Sequence, residues 1–513
     1  MRSSHPPAAA RRTRIERDTL GEVEVPADAL YGAQTQRAID NFPISGVPLP
    51  RSLIAALLRI KAAAAIANRT LGELDAVRAT AIERAVGSLL ATDFTVHFPV
   101  DVFQTGSATS TNMNANEVLA RLAQASLAGG ANAGGAGDGG AQGGGAQDGG
   151  AQDGGAQHGG AQHGGAGDGE TACVVDPNDH VNRGQSSNDV MPSAIHVAAA
   201  GVLADELRPA LVHLAATIRG RNADIGAIVK TGRTHLMDAL PVRFGQVLGG
   251  WASQIEQRIA DLDAHAPALA RLALGGTAVG TGVNAHPRFA ASCCEALQDL
   301  TGLRFEPAAD RFAAIGAQDT AVALSGALKA LAIAMTKIAN DLRWMNSGPI
   351  AGLGEIRLPA LQPGSSIMPA KVNPVVPEAV AMVGAQVVGN DAAIAIAGQA
   401  GSFELNTMLP LVARNLLDSM QWQARAARLL ADRAIAGFEV DAARLEAQLA
   451  RNPILATALN PSIGYAKAAE IAKEAARDGR SVLEVALARC DLDRAQLEAL
   501  LDPRRMTGSG TDA

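Results

Sequence analysis

Within nine residues, from Ser365 to Asn373, the chain places two hydroxyls (Ser365, Ser366), one ammonium (Lys371) and one side-chain amide (Asn373). Pro363, Pro369, Pro374 and Pro377 exclude a regular helix there. What remains is a proline-stiffened loop, opened by Gly364 and rich in donors. It is suited to gripping a small anion and moving a proton. A plain solvated turn uses the same Gly, Ser, Pro and Asn, but would not favour Ile367, Met368 and Val372.

Three other polar clusters lie far away in sequence, each a short loop beside a helix. Thr105 to Asn112 is nearly all hydroxyl and amide and leads into a helix, where free N–H groups favour anions. Asp176-Pro177-Asn178-Asp179 precedes Gln185-Ser186-Ser187-Asn188-Asp189. Gly232-Arg233-Thr234-His235 carries an imidazole. Singly, such runs read as helix caps. Together they offer neutral donors, one Lys, one His and no metal cage. That set suits a small dicarboxylate handled by acid–base groups.

These loops need a scaffold. The chain has 513 residues, 48% hydrophobic but only 3% aromatic, so its core rests on Ala, Leu, Val and Ile. Ala and Leu are strong helix formers, which points to an all-α body. One helix is read over residues 52–68, with Leu53, Ala56, Leu57, Ile60, Ala64 and Ala67 on one face. Others cover 116–127, 190–219 with an interruption at Pro209, 244–262, 321–345 and most of 389–430. The last is apolar on more than one side, as in a buried bundle or an oligomer interface. Strand signals are few; Thr19 to Val25 is expected to form a short ribbon.

From Ala128 to Gly169 the chain is nearly all Gly, Ala, Gln, Asp and His, with GGAQ starting at 139, 144, 149, 154 and 159. Without large apolar residues, burial cannot offset the ordering entropy, so this is read as a disordered insertion. His158 and His163 within it make a poor metal site. The domain reading is a disordered tail over 1–14, an N-terminal helical domain over 15–183, a central long-helix domain over 184–437, and a small helical domain over 438–513.

A net charge of −7 gives no global attraction to nucleic acid or anionic membrane. No uninterrupted apolar run approaches membrane-spanning length. The Arg-rich start lacks the apolar stretch of a secretory signal. Cys173, Cys293, Cys294 and Cys490 have no metal spacing and are expected as reduced thiols in a cytoplasmic protein.

The loop Gly364 to Pro374 is similar to the signature loop of the fumarase/aspartase superfamily. Tyr31 to Arg37, Gln185 to Asp189, Gly275 to Asn284 and Lys337 to Gly348 also match. Within that superfamily the chain resembles the class II fumarases. The resemblance implies an all-α, three-domain fold whose long-helix bundle forms a tetramer core, and reversible trans hydration of fumarate to L-malate without a metal or cofactor. It implies Ser365 as the base at C3, and His235 assisted by Glu378 at the water. Ser107, Ala108, Thr109, Asn112, Ser186, Ser187, Asn188, Thr234, Ser366, Lys371, Val372 and Asn373 would bind substrate, with Lys371 and Asn373 on the charge-bearing carboxylate. Each site would draw on three subunits of a homotetramer. An aspartate ammonia-lyase is the nearest alternative; His235 and the Ser186-Ser187 pair favour the fumarase. A non-catalytic homologue would not be expected to keep Ser365, His235, Lys371, Asn373 and Glu378 together. Two positions depart from the family. Ala108 replaces a glycine, and its methyl is expected to crowd the carboxylate. Asp176 replaces a histidine in a secondary anion site (Asp176, Pro177, Asn178, Asp179), where it would disfavour a dicarboxylate.

Overall fold

The structure is a computed structural model that describes residues 12–133 and 173–508. It is all-α, with only two-stranded ribbons among the described residues. A ribbon of β1 (Thr13–Asp18) and β2 (Gly21–Pro26) opens it. The ribbon starts earlier than the sequence suggested. Thr19 and Leu20 are its turn, and Gly21 takes the φ of +115° that the turn requires. Thr13 and Arg14, expected in the tail, are therefore strand residues, and Arg14 donates to the carbonyls of Pro26 and Tyr31.

The chain divides into two compact units. Among the described residues the first comprises 12–133, 173–191 and 273–307, the second 192–272 and 308–508. The main elements follow in chain order. They are α1 (Ala33–Asn41), α2 (Arg51–Leu71), α3 (Ala76–Leu90), α4 (Thr109–Ala133), α5 (Ser187–Val202) and α6 (Arg208–Gly220). Next come the strands β3 (Val229–Thr234) and β4 (Met237–Arg243) and then α7 (Phe244–Asp263). The series ends with α8 (Phe289–Thr301), α9 (Asp319–Met345), α10 (Val375–Gly398) and α11 (Leu409–Leu430).

In the first unit α2 is the axis, packed by α3, α4 and α8. All six apolar residues read from its period are buried, but so are Ile54, Ala55, Leu58 and Lys61, so it is enclosed on nearly every side. Gly72 ends it in the left-handed conformation, and the Asp75 carboxylate caps α3. The first positions of the expected insertion, 128–133, continue α4; the GGAQ repeats, His158 and His163 lie outside the described residues.

In the second unit α9, α10 and α11 pack side by side, with α6 against α7 and α11. The polar residues that interrupt α10 join its neighbours. Asp391 accepts from Ser325 at 2.8 Å and pairs with Lys329, and Asn390 donates to Ser419 at 3.0 Å. The interruption read at Pro209 is a π-type turn over Leu203–Leu207, directly ahead of Pro209 in α6, and this wider turn accommodates a residue that cannot donate to the turn before it. A short hairpin of Gly401–Ser402 and Leu405–Asn406 splits the helix read over 389–430. A separate apolar core of Leu459, Ile471, Val485 and Leu497 holds the C-terminal helices together.

Three stretches, Ser187–Ile225, Asp319–Met345 and Val375–Gly398, are long and apolar enough to cross a bilayer by length and composition alone, although charged residues interrupt each of them. Only 28% of the apolar window of α10 is buried within the chain.

Candidate active site

The first unit holds two of the polar clusters, and each opens a helix. Ser107 and Thr109 share a hydroxyl–hydroxyl bond of 2.8 Å at the start of α4. Between them Ala108 has a φ of +57°, the left-handed region that glycine enters freely, which explains the family's glycine. Its methyl is fully buried within the chain.

Ser186, Ser187 and Asn188 open α5. The Asp189 carboxylate gathers their loop onto a second one. It accepts from the N–H of Ser186 at 2.9 Å, Gly275 at 3.0 Å and Thr277 at 2.8 Å. Asn188 reinforces the seam by donating to the Ala278 carbonyl at 2.8 Å. Burial pushes the Asp189 carboxyl up to about 6, while the three N–H donors and Lys61 act the other way. At neutral pH it is thus the ionised acceptor that this geometry requires.

Lys61 lies behind this cluster, fully buried, donating to Asn182 Oδ1 at 2.8 Å and Gln185 Oε1 at 3.0 Å. Burial depresses its pKa to about 7, against the pull of Asp189 and Cys293. A neutral amine still has two hydrogens, one for each acceptor. A stability consequence follows. Between pH 7 and the ordinary lysine value of 10.5 the unfolded chain holds a proton that the folded chain has released, so this group adds stability as pH rises. Asp189 has the opposite sign, and its window lies below about 6. The Cys293 thiol is pushed up by burial, and it too opposes Lys61, but only above the ordinary thiol value of 9.0. Denaturant unfolding between pH 7 and 9 should therefore show a rise of up to about 1.4 kcal/mol per pH unit that Lys61→Met abolishes. The neighbouring Cys294 thiol is pushed to about 12, and both are core packing residues of α8.

At the expected secondary anion site, Pro177–Val181 form a single π-type turn. Asp176 Oδ1 accepts from the N–H of both Asn178 (2.7 Å) and Asp179 (2.8 Å). The chain's own carboxylate thus occupies donors that an external anion would need.

The second unit holds the remaining residues. The loop from Gly364 to Asn373 closes on itself, with Gly364 N–H donating to the Lys371 carbonyl at 2.8 Å and Asn373 Nδ2 donating to the Gly364 carbonyl at 2.7 Å. A Cβ at Gly364 would lie 2.3 Å from the Lys371 carbonyl oxygen, so only glycine fits. Ser365 Oγ accepts from the N–H of Ile367 at 3.3 Å and Met368 at 3.1 Å. Two N–H groups aimed at one hydroxyl oxygen favour its deprotonated form. Lys371 donates to Asn373 Oδ1 at 2.6 Å. A cleft of about 400 Å³ is lined by Lys371, Val372, Asn373 and Glu378 together with Asn340, Arg343 and Ser347. Arg343 and Asn340, which no local sequence pattern marks, project from the last turns of α9, 21 or more residues before the loop.

The β3–β4 hairpin was missed in the sequence, yet it carries Thr234 and His235. Thr234 pairs with Met237 across a two-residue turn in which His235 and Leu236 both have positive φ (+55° and +62°). Non-glycine residues in that region cost about 1–3 kcal/mol each and persist where the surroundings enforce them. Beneath the turn, Lys230 and Arg233 both pair with the fully buried Glu355, the first at 2.8 Å. Asn452 also donates to the Ala239 carbonyl at 3.0 Å. The tip itself is exposed, with Leu236 and Met237 each 70% accessible. Among the described residues His235 has no hydrogen bond to Glu378, so the expected imidazole–carboxylate pair is not formed within one chain.

A sequence model described as lyase matches residues 21–389, and one for the fumarase C C-terminus matches 455–508. A class II fumarate hydratase of Pseudomonas aeruginosa is 58% identical over 498 residues, covering 97% of this chain and 99% of that one. The chain belongs to the class II fumarases. A class II fumarate hydratase of Xylella fastidiosa is 50% identical over 97% of this fumarase and 96% of its own length. The crystal structure of class II fumarase from Schistosoma mansoni superposes with a TM-score of 0.85 at 32% identity, covering 97% of this chain and 99% of that one. The all-α fold expected from the sequence is the fold of these relatives.

Proposed function

We propose that the protein catalyses the reversible trans hydration of fumarate to L-malate, as a step of the tricarboxylic acid cycle in the cytoplasm. The carrying observation is the Ser365 loop, whose hydroxyl oxygen receives two backbone N–H groups beside a cleft holding Lys371, Asn373 and Arg343. In the dehydration of malate to fumarate Ser365 removes the C3 proton, and in hydration it returns it. The charge spreads into the adjacent carboxylate, where Lys371 and Asn373 stabilise it. His235 acts on the leaving hydroxyl, assisted by Glu378. Ser107, Ala108, Thr109, Asn112, Ser186, Ser187, Asn188, Thr234, Ser366 and Val372 form the surrounding binding surface. Formation of L-malate from fumarate by the purified protein tests the assignment; its absence would refute it.

The same reading includes a homotetramer in which three chains complete each site, within a three-part domain plan (15–183, 184–437, 438–513). Two observations support it. Helix α10 leaves Met382, Val388 and Ile396 open to solvent, a long apolar face that a second copy would cover. The hairpin tip presents His235 beside exposed Leu236 and Met237, as a residue serving another chain's site would be. Mixing His235→Asn chains with Ser365→Ala chains, after dissociation and reassembly, should restore activity that neither variant has alone. No recovery would place both residues on one chain.

A further inference from the structure

An amine enclosed in the apolar axis of a helical unit is costly, and nothing in the packing of α2 requires one. Lys61 spends both of its donors on side-chain amides. Its contact with Asn182 turns that amide so that Nδ2 donates to the Gln185 carbonyl at 3.2 Å. Its contact with Gln185 turns the second amide so that Nε2 donates to the carbonyls of Val181 (3.1 Å) and Arg183 (3.2 Å). The segment just before Ser186 is thereby fixed.

The effect reaches the other cluster. Asn182 Oδ1, already held by Lys61, also accepts from Asn112 Nδ2 at 3.2 Å, and the same Nδ2 donates to Ser187 Oγ at 3.2 Å. Asn112 is therefore oriented with its amide nitrogen inward. Its carbonyl oxygen is buried and accepts no hydrogen bond among the described residues.

We propose that Lys61 is a positioning residue for substrate binding: through Asn182 it sets the orientation of Asn112 and the placement of Ser187, two members of the proposed binding set. This rests on the hydratase reading above. Lys61 itself touches no substrate.

The test is a double-mutant cycle of Lys61→Met and Asn182→Ala, followed by KM and kcat for L-malate and by thermal melting. Lys61→Met should raise KM about tenfold with a smaller change in kcat. Its melting temperature should be retained or raised, because an apolar side chain replaces a buried amine. A merely structural lysine would instead lower the melting temperature and leave KM alone. The double variant should be no worse than the poorer single one; effects that multiply would mean that Lys61 does not act through Asn182. An unchanged KM in a folded Lys61→Met protein overturns the proposal. Should that variant fail to fold, Asn182→Ala decides alone, and an unchanged KM there overturns it equally. A wild-type protein inactive on malate would sink the hydratase reading instead, a distinct result.

Discussion

Ser365→Ala is expected to lower kcat for malate dehydration by about 10²–10⁴-fold, the usual contribution of a positioned general base. The C3 proton of malate sits beside a carboxylate that is already negative, so its removal needs both a strong base and stabilisation of the resulting charge. The loop meets the first demand with the Ile367 and Met368 N–H groups on Ser365 Oγ. It prepares for the second by holding Lys371 against Asn373, and Asn373 against the Gly364 carbonyl. Removing one hydroxyl should leave these backbone contacts in place, so melting should change little. Ser366 is exposed and accepts no such bonds in the loop, so Ser366→Ala should affect binding more than turnover. Wild-type turnover in Ser365→Ala, measured with L-malate, would remove Ser365 from the chemistry.

Glu355→Ala should be the most destabilising single change near the site, by about 3–5 kcal/mol in denaturant unfolding. Glu355 is fully buried and pairs with both Lys230 and Arg233. Burial already pushes the Lys230 pKa down, with Glu355 opposing that shift. Without the carboxylate two cations remain in an enclosed site, one of them next to Thr234 and His235 on the hairpin. A loss of turnover beyond that of partial unfolding should accompany the change. A variant as stable as wild type would show that the pair is not what holds the hairpin.

The sequence made the helical scaffold legible where apolar period and length agreed, as in α2, α7 and α9. It also exposed the Ser365 loop, because prolines and donors are dense there. What it hid depended on partners remote along the chain. Lys61 reads as an ordinary charged residue in an alanine-rich helix until Asn182 and Gln185 are placed against it. Asp189 was seen as the end of a polar run, but its role comes from the N–H groups of Gly275 and Thr277. The β3–β4 hairpin escaped because Gly232 and Pro241 break its alternation and its inward charges need Glu355 to be buried. At Ala108 and Asp176 a departure from the family motif was visible, but its consequence was set by backbone geometry: a left-handed φ with a buried methyl at one, and an internally capped turn at the other.

His235 and the Ser186-Ser187 pair are those of an enzyme that handles water rather than ammonia, and this assignment can be checked in one assay. It is tested most directly by offering L-malate and L-aspartate to one purified preparation and recording fumarate and ammonia release side by side. Fumarate is expected from malate, with aspartate turned over far more slowly or not at all. Faster ammonia release from aspartate would contradict it.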